Sequence, residues 1–362
     1  MTFDEVRARF PVLDRLAYLN AGTFGPLSRV TSAAMAEEER RNVEEGRGGR
    51  RYFEGMLETR ERVRAAIGEQ VGVGPELVAL TTSTTDGCNL VVHALGLGPD
   101  DEVVTTDSEH FGLIGPLAAA GVRFRVARIA GRPAADAFDV IRAEVTSRTR
   151  LLALSHVLWT TGHVLPIAEL REATGQPVLA DGAQSAGAIP VRADAVDWYT
   201  VSAQKWLCGP DATGALVVRD PAALPVRSPS YFSQESYDLV EPRFAPKAGA
   251  ARFDTGWLPT PALAGLDAAL ADLPGWRFEH ARAAAGRCRE RLAEAGFELA
   301  TDPDQGTLVS FRVDGDPVEA AARCFEQGVI LRDMPGTDRL RVSCGYWTSD
   351  EDVERLIAAL RT

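Results

Sequence analysis

The chain has 362 residues, of which 45% are apolar and 25% charged, enough to bury a large core and to divide into two domains. Its formal charge of −12 argues against nucleic acid or an anionic membrane as the main partner. No apolar run reaches the roughly 20 residues that span a bilayer, and the N-terminus lacks the charged-then-apolar layout of a secretory signal. Five scattered cysteines without a C-x-x-C spacing predict reduced thiols in a cytoplasmic protein, with neither a disulfide framework nor a zinc site.

Short β-rich runs alternate with helix-like segments over the first two thirds. Residues 76–83 read as a strand and 86–95 as an apolar helix. Strands are then predicted at 101–107, 122–128, 150–156, 177–181, 197–203 and 214–220. Buried β-runs alternating with helices predict an α/β fold, a mostly parallel sheet covered on both faces. Residues 221–260, rich in Pro, Ser and aromatics, read as a long loop region. Beyond it the pattern predicts helices at 261–273 and 275–296, a strand at 307–313 and a helix at 317–327. Strands at 329–333 and 340–343 and a helix at 349–361 complete a smaller C-terminal α+β domain.

In an open parallel sheet, ligands gather where strands end and loops lead into helices. The first such end, T-T-S-T-T-D-G-C-N at 81–89, brings hydroxyls to a helix start and is a candidate phosphate cradle. His110 follows a second strand, His156 and Trp159 a third, and Asp181 a fourth; Ser202, Gln204 and Lys205 close the series. Lys205 stands out because only two lysines, Lys205 and Lys247, occur among 39 basic residues. Arginine supplies surface charge here, whereas a lysine amine can lose its proton and attack a carbonyl. No G-x-G-x-x-G or Walker loop is present, and the histidines show no metal-ligand spacing. An amine, a carboxylate and a phosphate cradle along one sheet edge suit pyridoxal 5′-phosphate (PLP).

Four segments, 17–29 (A-Y-L-N-A-G-T-F-G-P-L-S-R), 155–167, 181–187 (D-G-A-Q-S-A-G) and 204–210 (Q-K-W-L-C-G-P), resemble in order and spacing the class V aminotransferase family of PLP fold type I. Several are especially similar to cystine/cysteine C–S lyases, relatives of the cysteine desulfurases. The resemblance implies a large PLP domain over 16–255 with a seven-stranded sheet, a small domain over 256–362, and an N-terminal segment, 1–15, packing with the latter. It implies that Lys205 holds PLP covalently and moves the substrate Cα proton, that Asp181 pairs with the ring nitrogen, and that His110 stacks on the ring. Gln184 would bond the phenolic oxygen, and Thr84, Thr85, Ser202 and Gln204 the phosphate. His156 would lie near cofactor and substrate, with Asn20 and Trp159 on the substrate side and Arg341 on its α-carboxylate. Gly256 and Trp257 would approach the phosphate of a partner subunit in a homodimer.

The loop 331–339 contains no cysteine where the desulfurases carry their nucleophile, and Gln204 replaces the histidine that commonly precedes the lysine. Cys344 reads as a core thiol. The expected reaction is α,β-elimination from a sulfur-containing L-amino acid. The alternatives are transamination or epimerisation of the same substrate class, and a catalytically idle PLP-binding module.

Overall fold

The computed structural model describes residues 1–361. Helix α1 (Phe3–Arg7) and strand β1 (Ala17–Tyr18) precede two long helices, α2 (Arg29–Glu44) and α3 (Gly49–Val71). The sheet strands then follow: β2 (Val78–Thr81), β3 (Glu102–Thr106), β4 (Arg123–Ala127), β5 (Thr149–Ser155), β6 (Val178–Asp181), β7 (Trp198–Ser202) and β8 (Gly214–Val218). Helices α4 (Thr84–Leu95), α5 (Phe111–Ala119), α6 (Ala137–Ala143) and α7 (Ile167–Thr174) alternate with them. The seven strands lie in the order β2-β8-β7-β6-β5-β3-β4, all parallel except β8, which runs against both neighbours.

This sheet is covered on both faces, which is why its strands read as near-continuous apolar runs. On one face Val63 and Ile67 of α3 and Leu170 of α7 meet Leu80, Leu152 and Val178. On the other, Cys88 and Val91 of α4 and Leu113 of α5 meet Leu151, Leu179 and Leu216. Helix α8 (Thr260–Ala271) adds Leu263 and Leu266 to the first core.

A second layer forms from α9 (Arg277–Glu294), β11 (Leu308–Arg312), α10 (Pro317–Glu326), β12 (Val329–Ile330), β13 (Arg332–Asp333), β14 (Arg339–Ser343) and α11 (Asp350–Leu360). Its antiparallel sheet has the order β11-β14-β13. The single strand expected at 329–333 is in fact two, parted at Leu331. Val329–Ile330 pairs with β1, whereas Arg332–Asp333 pairs with β14. Residues 221–260 are likewise not all loop: β9 (Gln234–Asp238) and β10 (Arg243–Pro246) form an exposed antiparallel hairpin. Its alternation is hidden because neither face is buried.

Two contacts position the site from a distance. Asp254, 1% exposed, accepts from Arg60 Nη2 at 2.9 Å, Arg64 Nη1 at 2.9 Å and Leu80 N at 2.8 Å, tying α3 to the first sheet strand. The N-terminal segment crosses between layers: Arg7 bonds Asp352, Ser343 N donates to Leu19 O at 2.8 Å, and Gly25 N donates to Gln204 O at 2.8 Å. A Cβ on Gly25 would sit 2.0 Å from the Lys205 carbonyl oxygen, so only glycine permits this approach.

Candidate active site

The carboxyl ends of the sheet strands converge on a cavity of about 230 Å³. Strand β2 ends at Thr81, two residues before Ser83, whose hydroxyl accepts from Asp86 N and caps α4, so Thr84 and Thr85 form its first turn. Ser202, ending β7, accepts from Thr84 N at 3.1 Å and donates to Thr84 Oγ1 at 2.9 Å, fixing that turn to the next strand end. Strand β6 delivers Asp181, which is buried and accepts from Ala183 N at 2.8 Å. The turn after β7 delivers Gln204 and Lys205. From the other layer come Arg341 on β14 and, directly across the ladder on β13, Arg332. Gly22, Thr23 and Phe24 of the N-terminal segment complete the wall.

Burial pushes the Lys205 amine down to about 8, against the pull of Asp181. Burial, with Arg332 beside it, pushes Arg341 down to about 9, so it remains cationic at neutral pH. Arg341 gives Nη1 to Trp159 O at 2.8 Å, while its buried Nε and Nη2 have no hydrogen-bond partner among the described residues. A Cβ on Gly22 would come within 2.7 Å of that Nη2. The unpartnered Nε–Nη2 edge has the planar geometry that suits a carboxylate bound bidentately. Among the described residues the Arg332 side chain makes one hydrogen bond, from Nη1 to Thr23 Oγ1 at 3.1 Å.

His110 caps α5 by accepting from Gly112 N at Nδ1, 3.0 Å away, and stands edge-on to Trp159 at 5.2 Å. Desolvation and the charge of Lys205 lower its pKa. With Nδ1 an acceptor, the neutral ring carries its proton on Nε2. Glu109, the residue before His110, accepts from Thr106 Oγ1 at 2.8 Å and from Ser155 N at 2.9 Å. Burial, with a smaller contribution from the charge of Asp181, raises it to about 7 despite those bonds.

The cavity thus unites Lys205, Asp181, His110, Gln184, Thr84, Thr85, Ser202, Gln204, Trp159 and Arg341. It does not include His156, Asn20, Gly256 or Trp257 among its lining residues. His156 Nδ1 is paired with Tyr199 OH at 3.1 Å, and burial lowers its pKa to about 4. Asn20 Oδ1 accepts from Thr23 Oγ1 at 2.9 Å. Trp257 is exposed and stacks on Tyr231 at 5.7 Å, with Gly256 in open space beside it. Sequence reasoning passed over Arg332, Gly22 and Thr23. Arg332 is one arginine among many, and only its register opposite Arg341 distinguishes it. A wider cleft of about 500 Å³ between α2, α3 and α8 holds no comparable set: its ionisable lining is glutamate, arginine and Tyr52.

The residues present suit a phosphate-bearing aldehyde with a basic ring nitrogen. Lys205 supplies a desolvated amine, Asp181 a buried carboxylate, and the first turn of α4 supplies N–H groups and hydroxyls. Gln204 Oε1 and two Arg341 nitrogens are buried without partners, so the cavity lacks polar groups that a ligand would provide. Gln184 donates from Nε2 to Gly22 O at 2.9 Å and accepts from Trp206 Nε1 at 3.1 Å, which leaves one amide N–H for a ligand.

The model of the aminotransferase class-V family matches residues 17–356. An isopenicillin N epimerase of Streptomyces clavuligerus is 28% identical over 401 residues, covering 99% of this chain and 97% of that protein. A probable cysteine desulfurase of Pseudomonas aeruginosa is 31% identical over 336 residues, covering 83% and 81%. Among solved structures, the cystine C–S lyase C-DES in complex with its reaction product cysteine persulfide superimposes with a TM-score of 0.89 at 29% identity, over 97% of this chain and 98% of that one. A C-DES mutant with glycine covalently linked to PLP gives 0.90 at 29% identity, over 98% of both chains.

Proposed function

Because the chain belongs to the aminotransferase class-V family and is a PLP-dependent enzyme, we propose that it cleaves a C–S bond by α,β-elimination from cystine or a related sulfur-containing amino acid. The observation that carries this reading is the pair of guanidinium groups, Arg332 beside Arg341, in a cavity lined by no cysteine among the described residues. One fork suits the α-carboxylate and the second suits a carboxylate at the far end of the side chain, as in cystine. Cys208, three residues from Lys205, lies buried beneath Tyr346 OH at 3.6 Å, and its thiol is pushed up to about 12. Cys344 is fully buried in the second core. Neither presents a thiolate to a substrate, and elimination needs none.

When bound, PLP supplies an electron sink for the charge left at the substrate Cα. Lys205 would hold it through Nζ, Asp181 would keep its ring nitrogen protonated, and His110 would cover one ring face. Thr84, Thr85, Ser202 and Gln204 would hold the phosphate at the start of α4, and the remaining Gln184 N–H would reach the phenolic oxygen. The Nε–Nη2 edge of Arg341 fixes the α-carboxylate, Arg332 fixes the distal one, and Trp159 walls the side chain. Once released, the Lys205 amine takes the Cα proton, and the β-sulfur leaves with the C–S bonding pair. Cystine and water would give cysteine persulfide, pyruvate and ammonia.

This reading includes a cytoplasmic homodimer in which Gly256 and Trp257 reach the partner's phosphate site, with Asn20 and His156 supporting substrate and cofactor from just outside the cavity. The exposed Tyr231, Trp257, Leu239 and Val240 support a buried contact there. Incubation of the PLP-loaded protein with cystine tests the reaction, with a parallel incubation in alanine plus an oxo acid. Pyruvate together with persulfide is the expected result. Amino-group exchange would establish an aminotransferase, inversion at Cα without sulfur release an epimerase, and no turnover of any sulfur amino acid an idle PLP-binding module.

A further inference from the structure

The turn between β5 and α7 belongs in sequence to the large sheet, yet its tip is bonded to the other layer. Six consecutive residues, 159–164, each make one cross-layer hydrogen bond. Trp159 O accepts from Arg341 Nη1 at 2.8 Å, Thr160 O from Ser310 Oγ at 2.6 Å, and Thr161 O from Thr301 Oγ1. Gly162 O accepts from Gly306 N at 3.1 Å, and His163 Nε2 accepts from Asp302 N at 3.1 Å. Val164 N donates to Gln305 Oε1 at 2.9 Å. Gly162 has φ +78°, and a Cβ there would lie 2.5 Å from Leu308 O, so the turn is seated directly on β11. Thr301 Oγ1 also accepts from Ser310 N at 2.8 Å, which orients the hydroxyl toward Thr161.

We propose that Thr301, Ser310 and Gln305 are positioning residues for the substrate. Their bonds weld the 159–164 turn to the antiparallel sheet, so that the Trp159 wall and the Arg341 fork form one rigid unit. Arg341 illustrates the consequence. Its Nη1 is spent on Trp159 O, and that bond turns the Nε–Nη2 edge into the cavity. If the turn loosens, the fork loses its anchor while Lys205, Asp181 and the α4 turn, all on the large sheet, stay in place. The unit therefore governs substrate binding and leaves cofactor binding alone. This rests on the reading of Arg341 as the α-carboxylate fork.

Glycine has an α-carboxylate and no β-substituent to lose, so its dissociation constant for the PLP-loaded protein reports the fork whatever reaction follows. Thr301→Val and Ser310→Ala each delete one cross-layer bond and should weaken glycine binding about fivefold, the effect of one ordinary hydrogen bond. Gln305→Ala, at a less buried position, does the same should either of those variants fold poorly. The KM for cystine should rise in step with kcat unchanged, and the PLP affinity and absorbance should match the parent. Thr301→Ser, which keeps the hydroxyl, should bind glycine as the parent does. Amide exchange in a peptide covering 157–165 should accelerate in the deletion variants. Parental glycine affinity in all three variants overturns the proposal, whether or not exchange accelerates, and so does a fall in kcat at constant KM. A parent protein that binds no glycine defeats the carboxylate-fork reading itself, a result distinct from equal binding by parent and variants.

Discussion

Replacing Arg332 by methionine removes a cation and retains most of the side chain's length and apolar stem. Arg332 is partly buried with a single neutral partner, Thr23 Oγ1, so a distal carboxylate would be its only charged one in the cavity. Losing one member of such a pair costs about 2–5 kcal/mol. The lower end applies here because the side chain is not fully desolvated, and about 2 kcal/mol corresponds to a factor of about 30 in kcat/KM. The effect on a substrate with one carboxylate should have a different sign. Arg332 is among the causes that push Arg341 down, so its removal relieves like-charge repulsion at the fork. The assay compares kcat/KM of parent and Arg332→Met for cystine and for S-ethylcysteine, measured as pyruvate. Cystine should lose about thirtyfold, and S-ethylcysteine should be unchanged or slightly improved. Equal losses for both, or none for cystine, would refute the assignment of the second guanidinium to a distal carboxylate.

Asp254→Asn leaves buried Arg60 without its counter-charge and Arg64 with only the exposed Glu61, and should cost about 3–5 kcal/mol, read from denaturant midpoints; an unchanged midpoint would remove that network from the account of stability. Glu109 has a folded-state value of about 7, above its ordinary 4.5, so its contribution to stability is fully present below 4.5 and lost as pH rises through about 7. Glu109→Gln cannot ionise and should melt above the parent at pH 8 yet close to it at pH 5; the reverse order would show that the carboxylate is satisfied when charged. Lys205 attacks as the neutral amine, so covalent capture of added PLP by the apoprotein should quicken with pH and level off above about 8, as followed by stopped-flow absorbance. A rate that keeps climbing from pH 8 to pH 10 would contradict the depressed amine, and Lys205→Ala should abolish capture altogether.

The large sheet was legible because its strands are buried on both faces and leave unbroken apolar runs such as Leu151–Leu154. The residues that end those strands could be lined up at one edge for the same reason. Helix α3 carries an apolar stripe, Met56, Val63, Ile67 and Val71, that the sequence reading passed over, whereas α2 left no comparable trace. Helix α2 buries only Thr31 and is stabilised along its surface by pairs such as Glu37–Arg40, so it has no apolar stripe to recognise. The β9–β10 hairpin was illegible for a related reason, since its residues are nearly all exposed. Arg341 could be placed by its segment, but Arg332 could not, because its role depends on a break at Leu331 that sends adjacent dipeptides to different sheets. Of the two residues expected at that rim, Trp159 lines the cavity, whereas His156, in the same segment, turns away to Tyr199. Strand alternation alone does not say which neighbour of a strand end faces the cavity.

Gly22 N donates to Ser343 Oγ across 321 positions of sequence, and that bond sits beside the carboxylate fork. The substrate fork is thus completed only when two segments far apart in sequence meet, whereas the lysine, its carboxylate and the helix turn that would hold the vitamin all belong to one sheet. Capture of the vitamin and recognition of the amino acid therefore draw on separate parts of the chain.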